Sequence, residues 1–393
     1  MRDSAKVVFG LAPMEGVSDF PFRLWFSQCS APAFMGTPFL RATDSFPRVL
    51  SEDFAPELDR YQLPYKLIPQ VMASRSEDFV RAARLFLDAG ADFVDLNCGC
   101  PSPNSVSGGA GSSLLKKHET FLNFVSAIAS ALPPESFSVK MRTGFDDLNL
   151  FEKFVTGLKD IPLRQLTVHG RTRRDRYDGE ARWDLIEHAN RNLPYPVVAS
   201  GDVLSHKTWL TKKAQHPTIE RVIIGRGALR NPWLFEELRR GEAVTLSLRT
   251  LILALASFAQ IMELSYNDKD RLYALVAAGL FQSTCGTDEA KWEDLWRELG
   301  GKDPFETTVE RFAFGRTKMI WNSLRSALPA IYFEPTLLRA KSLGAFFKAI
   351  HAINPSREEL KVEHNPDIDW LYSSSRKRPG AQTEESETEP SED

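Results

Sequence analysis

The 393-residue chain has no apolar run of 18 or more residues, so nothing in it reads as a membrane span. Its N-terminus, MRDSAKVVFGLAPM, lacks a basic stretch followed by an apolar core and a small-residue cleavage site, which argues against secretion. Cysteine is scarce. Cys29, Cys98, Cys100 and Cys285 have spacings that fit neither a zinc site nor a disulfide framework, so no metal is expected. Together these absences point to a reducing, cytoplasmic address. Positive charge is missing as well, with a formal net charge of −3. The tail from Ser373 sets Arg376, Lys377 and Arg378 against Glu384, Glu385, Glu387, Glu389, Glu392 and Asp393, so residues 1–372 balance to zero. A nucleic-acid partner would need basic residues sorted onto one face.

What is present is ordinary globular composition, 42% hydrophobic and 26% charged, enough for one large domain and a second smaller one. Strand-like runs at 7–14, 31–36, 66–71, 93–97, 137–142, 165–170, 196–201 and 221–226 alternate with amphipathic stretches. One of these is EDFVRAARLFLDAG (77–90), where Gly90 stands at a helix C-cap position. Eight such units in the first 240 residues have the rhythm of a (β/α)8 TIM barrel, an α/β fold. A doubly wound open sheet is the alternative, but it would want a glycine-rich phosphate fingerprint after its first strand, and here that strand runs into APMEG. After residue 241 the periodicity is helical only, at 247–264, 271–282, 310–328 and 337–353, with 284–304 reading as an insertion. The chain is therefore divided into a barrel over 1–240, a smaller all-helical C-terminal domain over 241–355 and an extension over 356–393, disordered from about 373. A monomer is expected.

Met14, Gln70, Asn97, Lys140 with Arg142, His169, Ser200 and Gly225 each close a candidate strand, and in barrels that rim builds the active site. One polar strand end is ordinarily a cap or turn; so many together are not explained that way. The densest segment is DLNCGCPSPNSVSGGAGSSLL (95–115). On its residues alone, Cys98 and Cys100 could be small core residues, and the glycines a mobile turn or a phosphate cradle. C-x-C is too short for a redox C-x-x-C pair.

This segment resembles the signature of the tRNA-dihydrouridine synthases, in which Asn-x-Gly-Cys-Pro precedes a glycine-rich loop. The resemblance continues through LAPMEGVSD, VKMRTGFD (139–146), VHGRTRRDRYDGEARW (168–183), ASGDV (199–203) and IGRGALRNPW (224–233), in family order across residues 7–240. NCGCPS is similar to the bacterial C-type branch, which implies position 16 of the tRNA D-loop. The family likeness implies FMN as cofactor, NADPH as reductant and tRNA as substrate. Saturating the uracil C5=C6 bond takes a hydride at C6, which no side chain can supply, and a proton at C5. A thiol with a pKa of ~8.5 is mostly protonated at neutral pH and suits that second task. By resemblance Cys100 is the acid and Cys98 is structural.

The resemblance also implies flavin contacts from Pro13 and Met14 beneath the ring, Gln70 at its polar edge, Lys140 near N1 and O2, and His169. Ser200, Gly201, Asp202, Gly225 and Arg226 would hold the phosphate, and Asn97, Arg142 and Tyr177 the uridine. The run Arg171, Arg173, Arg174 and Arg176 reads either as a solvated loop or as a contact for RNA phosphate, with phosphate preferred on this rim. Arg311, Lys318 and Arg325 recur every seven residues and fall within about 40° of one another on a helix, so Lys318 is expected to meet tRNA. Pro38 stands where relatives commonly carry Glu, while Arg41 matches. Two rival readings remain. An FMN barrel acting on a small pyrimidine leaves the helical region and the arginine run unexplained. An RNA-binding module without catalysis leaves the set Asn97, Cys100, Lys140, Arg142 and His169 unexplained.

Overall fold

The computed structural model describes residues 7–44, 57–58, 62–334, 337–353 and 359–365. The β-rich runs form ten short parallel strands: β1 (Val8–Leu11), β2 (Phe34–Gly36), β3 (Leu40–Ala42), β4 (Lys66–Ile68), β5 (Gln70–Ala73), β6 (Val94–Cys98), β7 (Phe137–Arg142), β8 (Leu166–His169), β9 (Val197–Ser200) and β10 (Arg221–Ile224). Their order is β3-β5-β6-β7-β8-β9-β10-β1-β2-β4. β2 and β3 are two pieces of one run, interrupted at 37–39, and β4 and β5 are pieces of another, interrupted at Pro69. The two ends of the order are thus the same two runs met again, and the sheet closes into a (β/α)8 barrel. Proline has no N–H for the ladder, which accounts for the break at 69. The gap is bridged from Thr37, whose N–H donates to Ile68 O at 3.0 Å and whose hydroxyl accepts from Gln70 N at 2.9 Å.

Alternation along the strands separates two environments. Val94, Leu96, Cys98, Val139, Met141, Leu166 and Val168 are buried in the layer under the helices. Inside the barrel, Ala12, Phe34, Ile68, Phe93, Val198 and Ile223 form a separate small apolar plug. Toward the C-terminal ends of the strands the interior turns polar, with Gln70, Asp95, Ser138 and Thr167, then Asn97, Lys140, His169 and Ser200.

The helices of this half are α1 (Phe20–Ser30), α2 (Ser76–Asp88), α3 (Pro103–Ser107), α4 (His118–Ala131), α5 (Phe151–Leu158), α6 (Trp183–Asn192), α7 (His206–Gln215), α8 (Arg226–Arg230) and α9 (Leu234–Arg240). A helical region follows, with α10 (Leu248–Asn267), α11 (Lys269–Ala277), α12 (Glu289–Glu298), α13 (Arg311–Ser323) and α14 (Leu343–Ile353). α10 is long and apolar enough to cross a membrane, although no such span is legible as an unbroken apolar run. It is a core pillar instead: 78% of its most apolar window is buried, and Ala254 O on it accepts the indole N–H of Trp25 on α1 at 2.8 Å.

The helical region departs from the sequence reading in two places. Segment 284–304, expected to be an insertion between the helices, is packed into the core of the region. It carries α12, whose Trp292 and Trp296 are buried, and Gly286 O accepts the indole N–H groups of both Trp233 and Trp292. The region is also not wholly helical, because β11 (Val244–Ser247) pairs antiparallel with β12 (Glu359–Val362), a strand from the expected extension. The tail expected to be disordered from about 373 lies outside the described residues.

Candidate active site

Along β6 the pleat sends Val94, Leu96 and Cys98 outward and Asp95 and Asn97 into the barrel. Asn97, one residue before the strand's end, shapes the turn that follows. Its Oδ1 accepts the N–H groups of Gly99 at 3.0 Å and Cys100 at 2.9 Å, an Asx-type turn that takes the following peptide out of the ladder. The carbonyl of Cys100 is held from the other side by Ser112, through its N–H at 3.2 Å and its hydroxyl at 2.7 Å. Gly111 makes that approach possible at φ +60°, since a Cβ there would lie 3.3 Å from Cys100 Cβ and 3.1 Å from Met72 Sδ. Cys100 ends half-buried on a cavity wall. Cys98 sits in the core, where burial pushes its thiol pKa well up.

That cavity, of about 330 Å³, opens at the C-terminal rim of the barrel, in the size range of cofactor clefts. Ala12, Pro13 and Met14 line it from the loop after β1, Lys140 and Arg142 from β7, and His169 from β8. Burial, reinforced by the neighbouring Arg142, lowers the Lys140 pKa to about 8. His169 is held well below the usual imidazole range by burial and by the cations Arg142, Lys140, Arg171 and Arg226, so it is neutral at pH 7. Arg142 staples two loops together. Its Nε donates to Gly99 O at 2.9 Å, and its Nη1 to Thr172 O at 2.7 Å and Arg176 O at 2.9 Å. Tyr177, 42% exposed, hangs over the mouth with its ring 4.6 Å from the Arg226 guanidinium and 5.7 Å from that of Arg142. After β9 the chain turns through Gly201 (φ +127°) and Asp202 (φ +57°), and Gly225 and Arg226 open α8 after β10.

The donor set suits a flat, anionic cofactor. Lys140 and Arg226 supply positive charge, and the first N–H groups of α8 have no partner within the helix. A Cβ on Gly225 would stand 3.6 Å from Ala12 Cβ and 3.7 Å from Met14 Sδ, in ordinary van der Waals contact with that floor.

A model of the family described as dihydrouridine synthase matches residues 10–278. The chain belongs to that family. It is similar to tRNA-dihydrouridine synthase B of Xanthomonas campestris pv. campestris, 31% identical over 229 residues that make up 58% of this chain and 67% of that one. It is also similar to a probable tRNA-dihydrouridine synthase 1 of Synechocystis sp., 31% identical over 234 residues, 58% of this chain and 63% of the other. Among solved structures, morphinone reductase aligns at a TM-score of 0.43 with 13% identity, covering 61% of this chain and 86% of that one, a likeness too loose to carry an argument.

In this family member the cavity gathers Cys100, Pro13, Met14, Gln70, Lys140, His169, Ser200, Gly201, Asp202, Gly225, Arg226, Asn97, Arg142 and Tyr177. Two expected substrate contacts fall elsewhere. Arg171 is 2% exposed and committed inward, donating to Asp178 O at 3.1 Å, Gly179 O at 2.5 Å and the Asp202 carboxylate at 2.9 Å. It pins its own loop. In the same run Arg173 and Arg174 lie 3.8 and 3.5 Å from the Asp146 carboxylate. Lys318 is half-buried on α13, at a shallow surface cavity it lines with Gly315 and Met319, and it is already engaged by the protein. Its ammonium donates to Leu338 O and Ala340 O, both at 3.0 Å, over the Phe314 ring at 4.0 Å, and burial lowers its pKa.

Two further assignments narrow. Asp202 accepts from Ala181 N at 2.6 Å, from Arg171 and from Arg226 at 3.3 Å, so it aims arginines rather than meeting an anion. Asn97 has its carbonyl filled by the loop and one amide N–H on Gln70, leaving a single N–H for the cavity. Sequence reasoning missed Glu15 and Phe39, which also line the cavity, and Asp95 beneath it. The only signal for them was adjacency to APMEG, TPFLR and DLN.

Proposed function

We propose that this member of the dihydrouridine synthase family, an oxidoreductase, reduces the C5=C6 bond of a uridine in the D-loop of tRNA, with FMN as bound cofactor and NADPH as reductant. One observation carries the reading: the Cys100 thiol shares a cavity with Lys140, neutral His169 and the Pro13–Met14 floor, so a proton donor and a cofactor-binding set face the same space. When bound, FMN supplies the hydride that goes to C6. Cys100 gives its proton to C5, a task for which an ionised carboxylate at neutral pH is unsuited. Lys140, charged below a pKa of about 8, sets positive charge beside the flavin ring, and His169 offers hydrogen bonding without adding charge. Ser200, Gly201, Gly225 and Arg226 hold the phosphate, and Asp202 orients Arg226. Arg142, Tyr177 and the remaining N–H of Asn97 face the uracil.

The likeness of NCGCPS to the C-type branch supports position 16 as the uridine reduced. The barrel to residue 240 is the catalytic part and the helical region the part that grips tRNA, in a cytoplasmic monomer. The purified full-length chain is expected to be yellow, and NADPH to bleach it in the absence of tRNA. Well-folded protein that takes up no FMN would end this reading, and turnover of free uridine or orotate at the rate of tRNA would favour the small-pyrimidine alternative.

A further inference from the structure

A buried chain of side chains runs from β7 to the peptide of Cys100. Ser138 Oγ donates to Asp95 Oδ1, and Gln70 Nε2 donates to Asp95 Oδ2 at 2.7 Å. Asn97 Nδ2 donates to Gln70 Oε1 at 2.7 Å, and Asn97 Oδ1 accepts from Gly99 N and Cys100 N. None of Gln70, Asp95, Asn97 and Ser138 is more than 7% exposed. Each bond in the chain has a direction, and both ends fix it. A backbone N–H only donates, and although burial raises the Asp95 pKa, its carboxyl offers Gln70 an accepting oxygen in either protonation state. Gln70 must therefore turn its NH2 to Asp95 and its carbonyl to Asn97, and Asn97 must turn its NH2 to Gln70 and its carbonyl to the loop. A buried group facing its own kind would lose its partner, which is costly in an enclosed site.

We propose that the buried Asp95–Gln70–Asn97 relay positions Cys100: the matching of donors to acceptors along it, rather than the charge of Asp95, fixes where the Cys100 thiol stands on the cavity wall. The placement is independent of the reaction. Its consequence for catalysis rests on the reading of Cys100 as proton donor.

The relay can be reversed by design. Asp95→Asn keeps it intact, because the new amide can turn its oxygen to Gln70 and its NH2 to the Ser138 hydroxyl, which also accepts. Asn97→Asp still accepts from the loop, but it leaves Gln70 between two carboxylates, with its own oxygen facing one of them whichever way it turns. Combining the two substitutions lets Gln70 turn round, donating to the carboxylate now at position 97 and accepting from the amide now at position 95. The double variant also leaves the net charge unchanged.

The test uses the full-length chain with FMN, comparing Asp95→Asn, Asn97→Asp and the double variant. Two quantities are read: the thermal midpoint, and the rate at which iodoacetamide alkylates Cys100 at its alkaline plateau, followed by peptide mass spectrometry. At that plateau the thiolate fraction no longer matters, so the rate reports placement. Asn97→Asp is expected to lower the midpoint and change the Cys100 rate by about threefold or more, while Asp95→Asn stays within about twofold of wild type. Adding Asp95→Asn to Asn97→Asp should recover both quantities. A double variant no better than Asn97→Asp alone would overturn the proposal, as would an Asp95→Asn variant as damaged as Asn97→Asp. This rescue pattern among the variants, together with wild-type protein that reduces no tRNA uridine, would overturn the functional reading and leave the relay standing.

Discussion

Arg316 on α13 clamps the loop that carries Pro13 and Met14, and removing it is a quantitative test of how the helical region supports the cavity. Its guanidinium donates to Gly16 O, to Val17 O at 2.9 Å, and to the two Asp19 carboxylate oxygens at 3.0 and 2.9 Å. The side chain is 19% exposed, and Asp19 is also the N-cap of α1. In Arg316→Ala a partly exposed ion pair worth about 1 kcal/mol is lost, with two carbonyl hydrogen bonds worth about 0.5 kcal/mol each once water replaces them. The total of about 2 kcal/mol corresponds, for a chain of 393 residues, to a fall in Tm of about 2–3 °C.

The same variant has a defined pH signature. Burial already raises the Asp19 pKa against the opposing pull of Arg316, so losing the arginine raises it further. A carboxyl whose folded pKa is raised destabilises the protein when ionised and not when protonated. The gap between variant and wild type is therefore full at pH 7 and narrows as pH falls through the Asp19 pKa. Thermal denaturation at pH 7 and near pH 4.5, with an FMN titration at pH 7, reads all of this, and FMN binding should weaken because the loop floor loosens. An unchanged Tm together with unchanged FMN affinity would refute the clamp.

Cys100→Ala should leave FMN uptake and NADPH oxidation nearly intact while uridine reduction falls by about 100-fold or more, whereas Cys98→Ala should keep activity; mass spectrometry of dihydrouridine decides, and the opposite ranking would show the wrong thiol was chosen. FMN affinity, measured by fluorescence quenching, should hold steady through neutral pH and weaken as pH rises past about 8, where Lys140 loses its charge. Lys140→Met should bind weakly at every pH and lack that step, and a wild-type profile flat through pH 9 would contradict the assignment. Lys318→Glu should lower Tm, because its ammonium holds Leu338 O and Ala340 O, and leave the salt dependence of tRNA binding alone. Exposed Arg311 is the better probe of the same helix face: Arg311→Glu should flatten the salt slope by about one unit, and the reverse pattern would restore Lys318 as the tRNA contact.

The barrel was legible because most of its strands announce themselves locally, by a short apolar run ending in a polar residue and followed by a helical period. The breaks were not legible. KLIPQV reads as one strand until Pro69 is seen to interrupt the ladder. The cavity was legible for the same reason as the barrel, since strand ends converge on one rim whatever the loops do. The pattern was least informative where a residue's surroundings depend on something far along the chain. Arg171 looks solvated within GRTRRDR, but the carbonyls of Asp178 and Gly179 and the carboxylate of Asp202, 31 residues on, hold it inward. Lys318 shares a periodic stripe with Arg311 and Arg325, but periodicity says nothing about the carbonyls of Leu338 and Ala340 brought against it. β12 is four residues whose partner, β11, lies across the whole helical region, beyond the reach of any local pattern.

The central claim is that this chain reduces a tRNA uridine with Cys100 as the acid. The most direct measurement incubates the full-length protein with FMN, NADPH and tRNA lacking dihydrouridine, then maps dihydrouridine by mass spectrometry, with Cys100→Ala run alongside. The account predicts dihydrouridine at a single D-loop position with the wild-type protein and almost none with the variant. A yellow, NADPH-bleachable protein that forms no dihydrouridine, or a Cys100→Ala variant that forms as much as wild type, would contradict it.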